Sequence, residues 1–157
     1  MKDATEKAKA LKDATAYTVR DWPKNRRRIP GQPSIYMFSD PEGRRMYVGS
    51  TIGTGGIRGR LTHQVCPSRI GTPWTLSDPP GKTVLGARNL LGNLLNDLSG
   101  KRYKEIDPGS EQDIDALNRA VKRIHEMTVQ WQECPEKTVI RAEHCAIRQY
   151  QPEYVEK

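Results

Sequence analysis

Cysteine is scarce in this chain. The 157 residues hold three, Cys66, Cys134 and Cys145, and none sits in a CxxC pair. An odd number without paired spacing argues against a disulfide framework and fits a reducing, cytoplasmic setting. Long apolar runs are missing too. No stretch approaches the length of a membrane span, and the N-terminus lacks the apolar segment of a secretory signal, so no membrane partner is expected. Aromatic residues make up only 6% against 29% charged, the balance of a soluble, polar domain. The one glycine-rich stretch, Gly53 to Gly56, lacks the Lys-Ser/Thr ending of a P-loop and reads as a flexible connection. Acidic residues are in deficit, 19 against 26 basic ones, giving a formal charge of +7 and a pI near 9.5. That surplus favours an anionic partner such as nucleic acid. The length suits one domain, which at this size buries roughly two-thirds of its unfolded surface.

What is present is strongest between Pro33 and Ser50. Two runs rich in β-formers, Ser34 to Phe38 and Arg45 to Gly49, flank Asp40-Pro41-Glu42-Gly43. Proline second and glycine fourth suit a type I turn, so the stretch reads as a β-hairpin. A turn centred on Pro41-Glu42 sets Tyr36 directly across from Tyr47, with both phenols on one face. A single bulge at Gly43 slips the register by one and separates them, unless a second bulge restores it.

Ahead of the hairpin, Met1 to Thr15 is rich in Ala and Lys with Leu11 its one large apolar residue, a marginal helix or a frayed tail. Lys24, Arg26, Arg27 and Arg28 form a basic run fit to meet phosphates. After the hairpin, Ile57, Leu61 and Val65 mark a helix on which Arg60 and His63 share a flank. A long loop with Pro67, Pro73, Trp74, Pro79 and Pro80 follows; Trp74 is either a packed anchor or a wedge for a base step. Leu85 to Leu98 traces a helical stripe ended at Gly100. Lys101 and Arg102 add basic charge beyond it. Asp107-Pro108-Gly109 makes a turn. Ser110 with Asp113 resembles a capping box, and Ile114, Leu117, Val121 and Ile124 mark the helix it opens. Alternation of Met127, Val129 and Trp131 gives a third strand.

The last helix, with Pro135 suited to its first turn, carries an apolar stripe of Val139, Ile140, Ala146, Ile147 and Tyr150. Glu143 falls in the middle of it. A carboxylate on a buried face is costly unless it meets a cation or a metal. Arg141 and Arg148 point the other way.

These pieces resemble the GIY-YIG nuclease superfamily. Ser34-Ile35-Tyr36 matches the first half-motif and Tyr47-Val48-Gly49-Ser50 the second. Arg60-Leu61 matches the helix arginine that follows. Glu143, with Ile147 four later and Pro152 nine later, matches the helix glutamate. The likeness covers residues 33 to 65 and 127 to 155. Ser34 replaces the usual Gly, Val155 stands where the family often has Asn, and His63 follows Arg60 by three residues rather than four. The fold implied is α+β, a small three-stranded antiparallel sheet flanked by helices. Residues 1 to 32 would form an N-terminal helix and basic arm, and residues 33 to 157 the nuclease domain. A helical insertion at about 66 to 126 would separate the first helix from the third strand.

The resemblance implies metal-dependent hydrolysis of DNA phosphodiesters by a restriction-like or phage-like endonuclease acting as a dimer or larger assembly. Tyr36, Tyr47, Arg60, His63 and Glu143 would be catalytic. Glu143 would hold Mg²⁺ or Mn²⁺, a hard cation content with one carboxylate, water and phosphate oxygens. Tyr36 would take the proton from water, Tyr47 would position water or phosphate, and Arg60 would clamp phosphate oxygens. DNA contacts would come from Arg26, Arg27, Arg28, Arg58, Lys101 and Arg102. The competing expectations are a non-catalytic or structure-specific DNA-binding or repair module on the same scaffold, and a zinc-stabilised adaptor using His63, Cys66, Cys134, His144 and Cys145.

Overall fold

The structure, a computed structural model, describes residues 2–21, 32–52 and 90–154. It is α+β. Four strands, β1 (Tyr17–Thr18), β2 (Ser34–Ser39), β3 (Arg45–Thr51) and β4 (Thr128–Glu133), form one sheet in the order β1-β4-β2-β3, each pair antiparallel. Three strands were expected; the fourth, β1, is two residues long, too short for alternation to mark it. Helices α1 (Lys2–Ala10), α2 (Leu90–Ser99), α3 (Glu111–His125) and α4 (Val139–Tyr150) cover the two faces. Among the described residues no helix is long and apolar enough to cross a membrane. The helix expected over Ile57 to Val65, the loop after it and the basic run at Lys24 to Arg28 lie outside the described residues.

Strand alternation sorts the core into two. Ile35, Met37 and Val48 pack under α1 and α4 with Ala4, Ala8, Leu11, Val139, Ala142 and Ala146. Tyr36, Phe38, Tyr47 and Val129 face the other way, against Leu90, Leu94, Ile114, Leu117 and Ile124 of α2 and α3. The N-terminal segment is thus no frayed tail: Ala4, Ala8 and Leu11 form a narrow buried stripe against the alanines of α4. The buried amide of Gln130 fastens its end, donating to the carbonyls of Lys12 and Ala14 at 2.9 Å each.

The α3 cap forms as expected, with the Asp113 amide donating to Ser110 Oγ at 3.3 Å. The Asp113 carboxylate does not reach back to the cap. It accepts from Lys101 Nζ at 2.8 Å and from the Asp107 amide at 2.8 Å. Gly100 follows α2 at φ 72, the left-handed conformation of a helix stop. Pro135 proves to lie in a turn ahead of α4, whose Thr138 amide donates to the Pro135 carbonyl. Beyond α4, Glu153 and Tyr154 donate backbone amides to Arg45 and Met46 along the outer edge of β3. The Tyr154 hydroxyl donates to Asp97 of α2; burial, then that hydrogen bond and the carboxylate charge, push its phenol up to about 12.

Candidate active site

The hairpin turn decides where its tyrosines lie. Gly43 donates to the Asp40 carbonyl at 2.9 Å, closing the turn, and adopts φ 85, open to glycine and strained for other residues. This is the bulge that slips the register: Ser39 faces Arg45 rather than Arg44. A second slip follows at once, so that Phe38 faces Tyr47 and Tyr36 faces Gly49. Two slips of one residue restore the parity of the strand. Tyr36 and Tyr47 are therefore not directly opposed, as a simple turn predicts, yet they share a face as diagonal neighbours. Their ring centroids lie 6.2 Å apart, and Phe38 packs edge-on to Tyr36 at 5.8 Å. Asp40 braces the turn by accepting from the Arg44 amide at 2.8 Å and its Nε at 3.0 Å. Burial works to raise the Asp40 carboxyl, but these bonds outweigh it and hold it below its usual range.

Gly49 shows why the motif needs a glycine. A Cβ there would lie 2.4 Å from the Tyr36 hydroxyl oxygen and 3.0 Å from the Tyr47 ring. The Tyr36 phenol thus lies over the β3 backbone and reaches the outermost strand of the sheet. The next residue, Ser50, turns to the opposite face, and its hydroxyl donates to Glu143 Oε2 of α4 at 2.6 Å. The phenol and the carboxylate flank β3 from its two sides, at adjacent residues about 3.8 Å apart along the chain.

Glu143 itself is half-buried rather than central. The buried line of α4 runs through Val139, Ala142 and Ala146, while Ile140, expected inside, is 47% exposed. The reason is the small neighbour: α1 packs through alanines, which select the alanines of α4 and leave Glu143 on the flank. Its partner is the hydroxyl of Ser50, not a cation, among the described residues. Oε1 has no hydrogen bond or ion pair there. One carboxylate steadied by a hydroxyl, with an oxygen to spare, suits a hard divalent cation that keeps most of its water.

Arg60, His63, Arg26, Arg27, Arg28, Arg58 and Val155 lie outside the described residues. Lys101 meets both oxygens of Asp113, at 3.0 and 2.8 Å, and Arg102 Nε lies 3.6 Å from Glu105, so each is answered within the chain. Of the zinc reading, His63 and Cys66 lie outside the described residues, and among the described residues no three His, Cys, Asp or Glu come together. Cys134 is buried, and burial pushes its thiol up, which disfavours the thiolate a metal needs. Ser50 and Gly49 carry roles that motif matching alone did not assign. The signal was there in the strand period, which puts Ser50 beside Val48 under the helix bearing Glu143.

No protein-family model matches the chain, and no curated protein or solved structure matches it.

Proposed function

We infer that the chain is a divalent-metal-dependent endonuclease of the GIY-YIG type, hydrolysing phosphodiesters of duplex DNA. The observation that carries this reading is the junction at Gly49-Ser50 of the edge strand, where the Tyr36 hydroxyl overlies one residue from one face of the sheet and Glu143 is hydrogen-bonded to the next from the other. Water attacks phosphorus, a new P–O bond forms, and the bond to the 3′ oxygen breaks. Tyr36 receives the water proton as its own passes to His63, and Tyr47 beside it orients the water or the phosphate. Arg60 binds the non-bridging oxygens through its fork of donors. Glu143, its carboxylate rotamer fixed by Ser50, would hold Mg²⁺ or Mn²⁺. When bound, such a cation would supply charge stabilisation to the phosphate and the departing oxygen. A restriction-like or phage-like role as a dimer or larger assembly follows from the motif resemblance alone.

Plasmid incubated with the protein and Mg²⁺ or Mn²⁺ is expected to be nicked or linearised. Glu143→Ala abolishes this, and Tyr36→Phe lowers the rate at least 100-fold, the usual scale of a lost general base. Undiminished cleavage by Glu143→Ala would refute the site. A second reading, a DNA-binding or repair module without activity, draws on one fact: both phenols are only 1% exposed. Tight DNA binding with no cleavage under either metal would select it.

A further inference from the structure

The outward face of α4 carries a basic stripe that the site does not use. Arg141, His144 and Arg148 recur at three- and four-residue intervals and are all exposed, and Lys137 stands exposed in the turn leading in. At 100° per residue the three helical positions fall together, opposite the buried line of Val139, Ala142 and Ala146. Basic faces are often only solvated, and what marks this one is the lack of acids interleaved with it. Several cations elsewhere are answered by acids, Arg44 by Asp40, Lys101 by Asp113, Arg102 by Glu105 and Arg119 by Asp115, although Lys122 and Arg123 have no ion pair among the described residues. On α1, Asp3 and Glu6 are interleaved with Lys7 and Lys9, and on α3, Glu111 and Asp115 with Arg119 and Lys122. Helix α4 has one acid, Glu143, turned to the flank and bonded to Ser50. Among the described residues Lys137, Arg141 and Arg148 have no ion pair or hydrogen bond.

We propose that this face, Lys137, Arg141, His144 and Arg148, is a backbone-binding surface for duplex DNA, seating the substrate on the helix that bears Glu143. The choice of duplex DNA rests on the endonuclease reading; the surface itself stands on charge. The helical rise puts Arg141 and Arg148 about 10 Å apart along the axis. That spans about three phosphates of one strand at their 3.4 Å spacing along the duplex. Guanidinium groups suit such contacts because each forks to two phosphate oxygens. The face makes no base-reading claim: it gives affinity and orientation, with a strong dependence on salt.

The test is a salt titration of binding to a fluorescent DNA duplex in EDTA, where no cleavage occurs. Replacing Lys137, Arg141 and Arg148 together by Gln removes up to three phosphate contacts, and the slope of log affinity against log salt is expected to fall by about 3. A control triple, Arg119→Gln, Lys122→Gln and Arg123→Gln on α3, removes the same charge and is expected to change the slope by less than 1. Arg141→Lys with Arg148→Lys keeps the charge and the wild-type slope, and guards against misreading a folding defect. An unchanged slope in the α4 triple, or equal losses in both triples, overturns the proposal. So does single-stranded RNA binding as tightly as the duplex at equal salt. Binding that follows the predicted slopes in a protein that never cleaves would sink the endonuclease reading and leave this surface standing.

Discussion

Gly49 is the residue on which the site geometry turns. Its missing Cβ is the space the Tyr36 hydroxyl occupies, and both phenyl rings are walled in by packed neighbours. Gly49→Ala forces the phenol aside at an overpacking cost of about 1–3 kcal/mol. A urea titration should show that loss, with cleavage falling further than stability because the phenol itself is displaced. Gly43→Ala meets no atom within 4 Å, and its strain is confined to φ, so it should cost about 1–2 kcal/mol and spare the phenol. Ser50 is the second lever. Ser50→Ala leaves Glu143 Oε2 without its donor, and supporting hydrogen bonds of this kind are worth about 10–100-fold in metal affinity. Mn²⁺ binding followed by electron paramagnetic resonance is expected to weaken on that scale, with recovery in Ser50→Thr. Equal Mn²⁺ affinity in all three proteins would remove Ser50 from the site.

At the level of elements, α1 shows what a sequence conceals. Periodicity announces a helix when its buried positions are large, as with Ile114, Leu117, Val121 and Ile124 of α3, all found buried. The stripe of α1 and the turn after it is Ala4, Ala8 and Leu11, whose apolar content is too slight to stand out from an Ala/Lys background. Close approach of two alanine-lined helices makes the contact, and only the partner reveals it. The same contact explains the misplacement of Glu143, since the buried line of α4 follows the alanines that α1 requires. The hairpin was legible through its turn residues, but the second slip beyond Ser39 has no residue signature, so the pairing of Tyr36 could not be read. Tyr150 ties α4 to α1. Its hydroxyl donates to the Ala8 carbonyl at 2.7 Å and accepts from the Lys12 amide at 3.2 Å. Tyr150→Phe is expected to cost about 1 kcal/mol and to speed amide exchange in α1 while β2 and α3 stay protected. Uniform acceleration across the chain would mean that α1 does not open on its own.

For the molecule as a whole, buried titratable groups set the response to acid. His125, at the end of α3, is 5% exposed, and its Nε2 has no hydrogen-bond partner among the described residues. Burial, then the nearby charge of Arg20, pulls its pKa below the ordinary 6.5. Above pH 6.5 the ring is neutral in both states and stability does not depend on it. Below 6.5 the unfolded chain takes the proton first, so stability falls as pH drops, by at most about 1.4 kcal/mol per pH unit, until the folded ring titrates. Asp113 acts in a lower window. The Lys101 ammonium, then the Asp107 amide, hold its carboxyl below the usual 3.8. Its contribution is complete above 3.8 and fades as pH falls further toward the folded value, and Asp40 behaves alike. Acid should therefore weaken the fold in two stages. His125→Phe removes the unpaired nitrogen along with the proton site and should flatten the first stage alone, while Asp113→Asn flattens the second and lowers stability at neutral pH. Thermal midpoints followed from pH 8 to pH 3 separate the two, and a first stage that survives in His125→Phe would show that the loss begins at some other group.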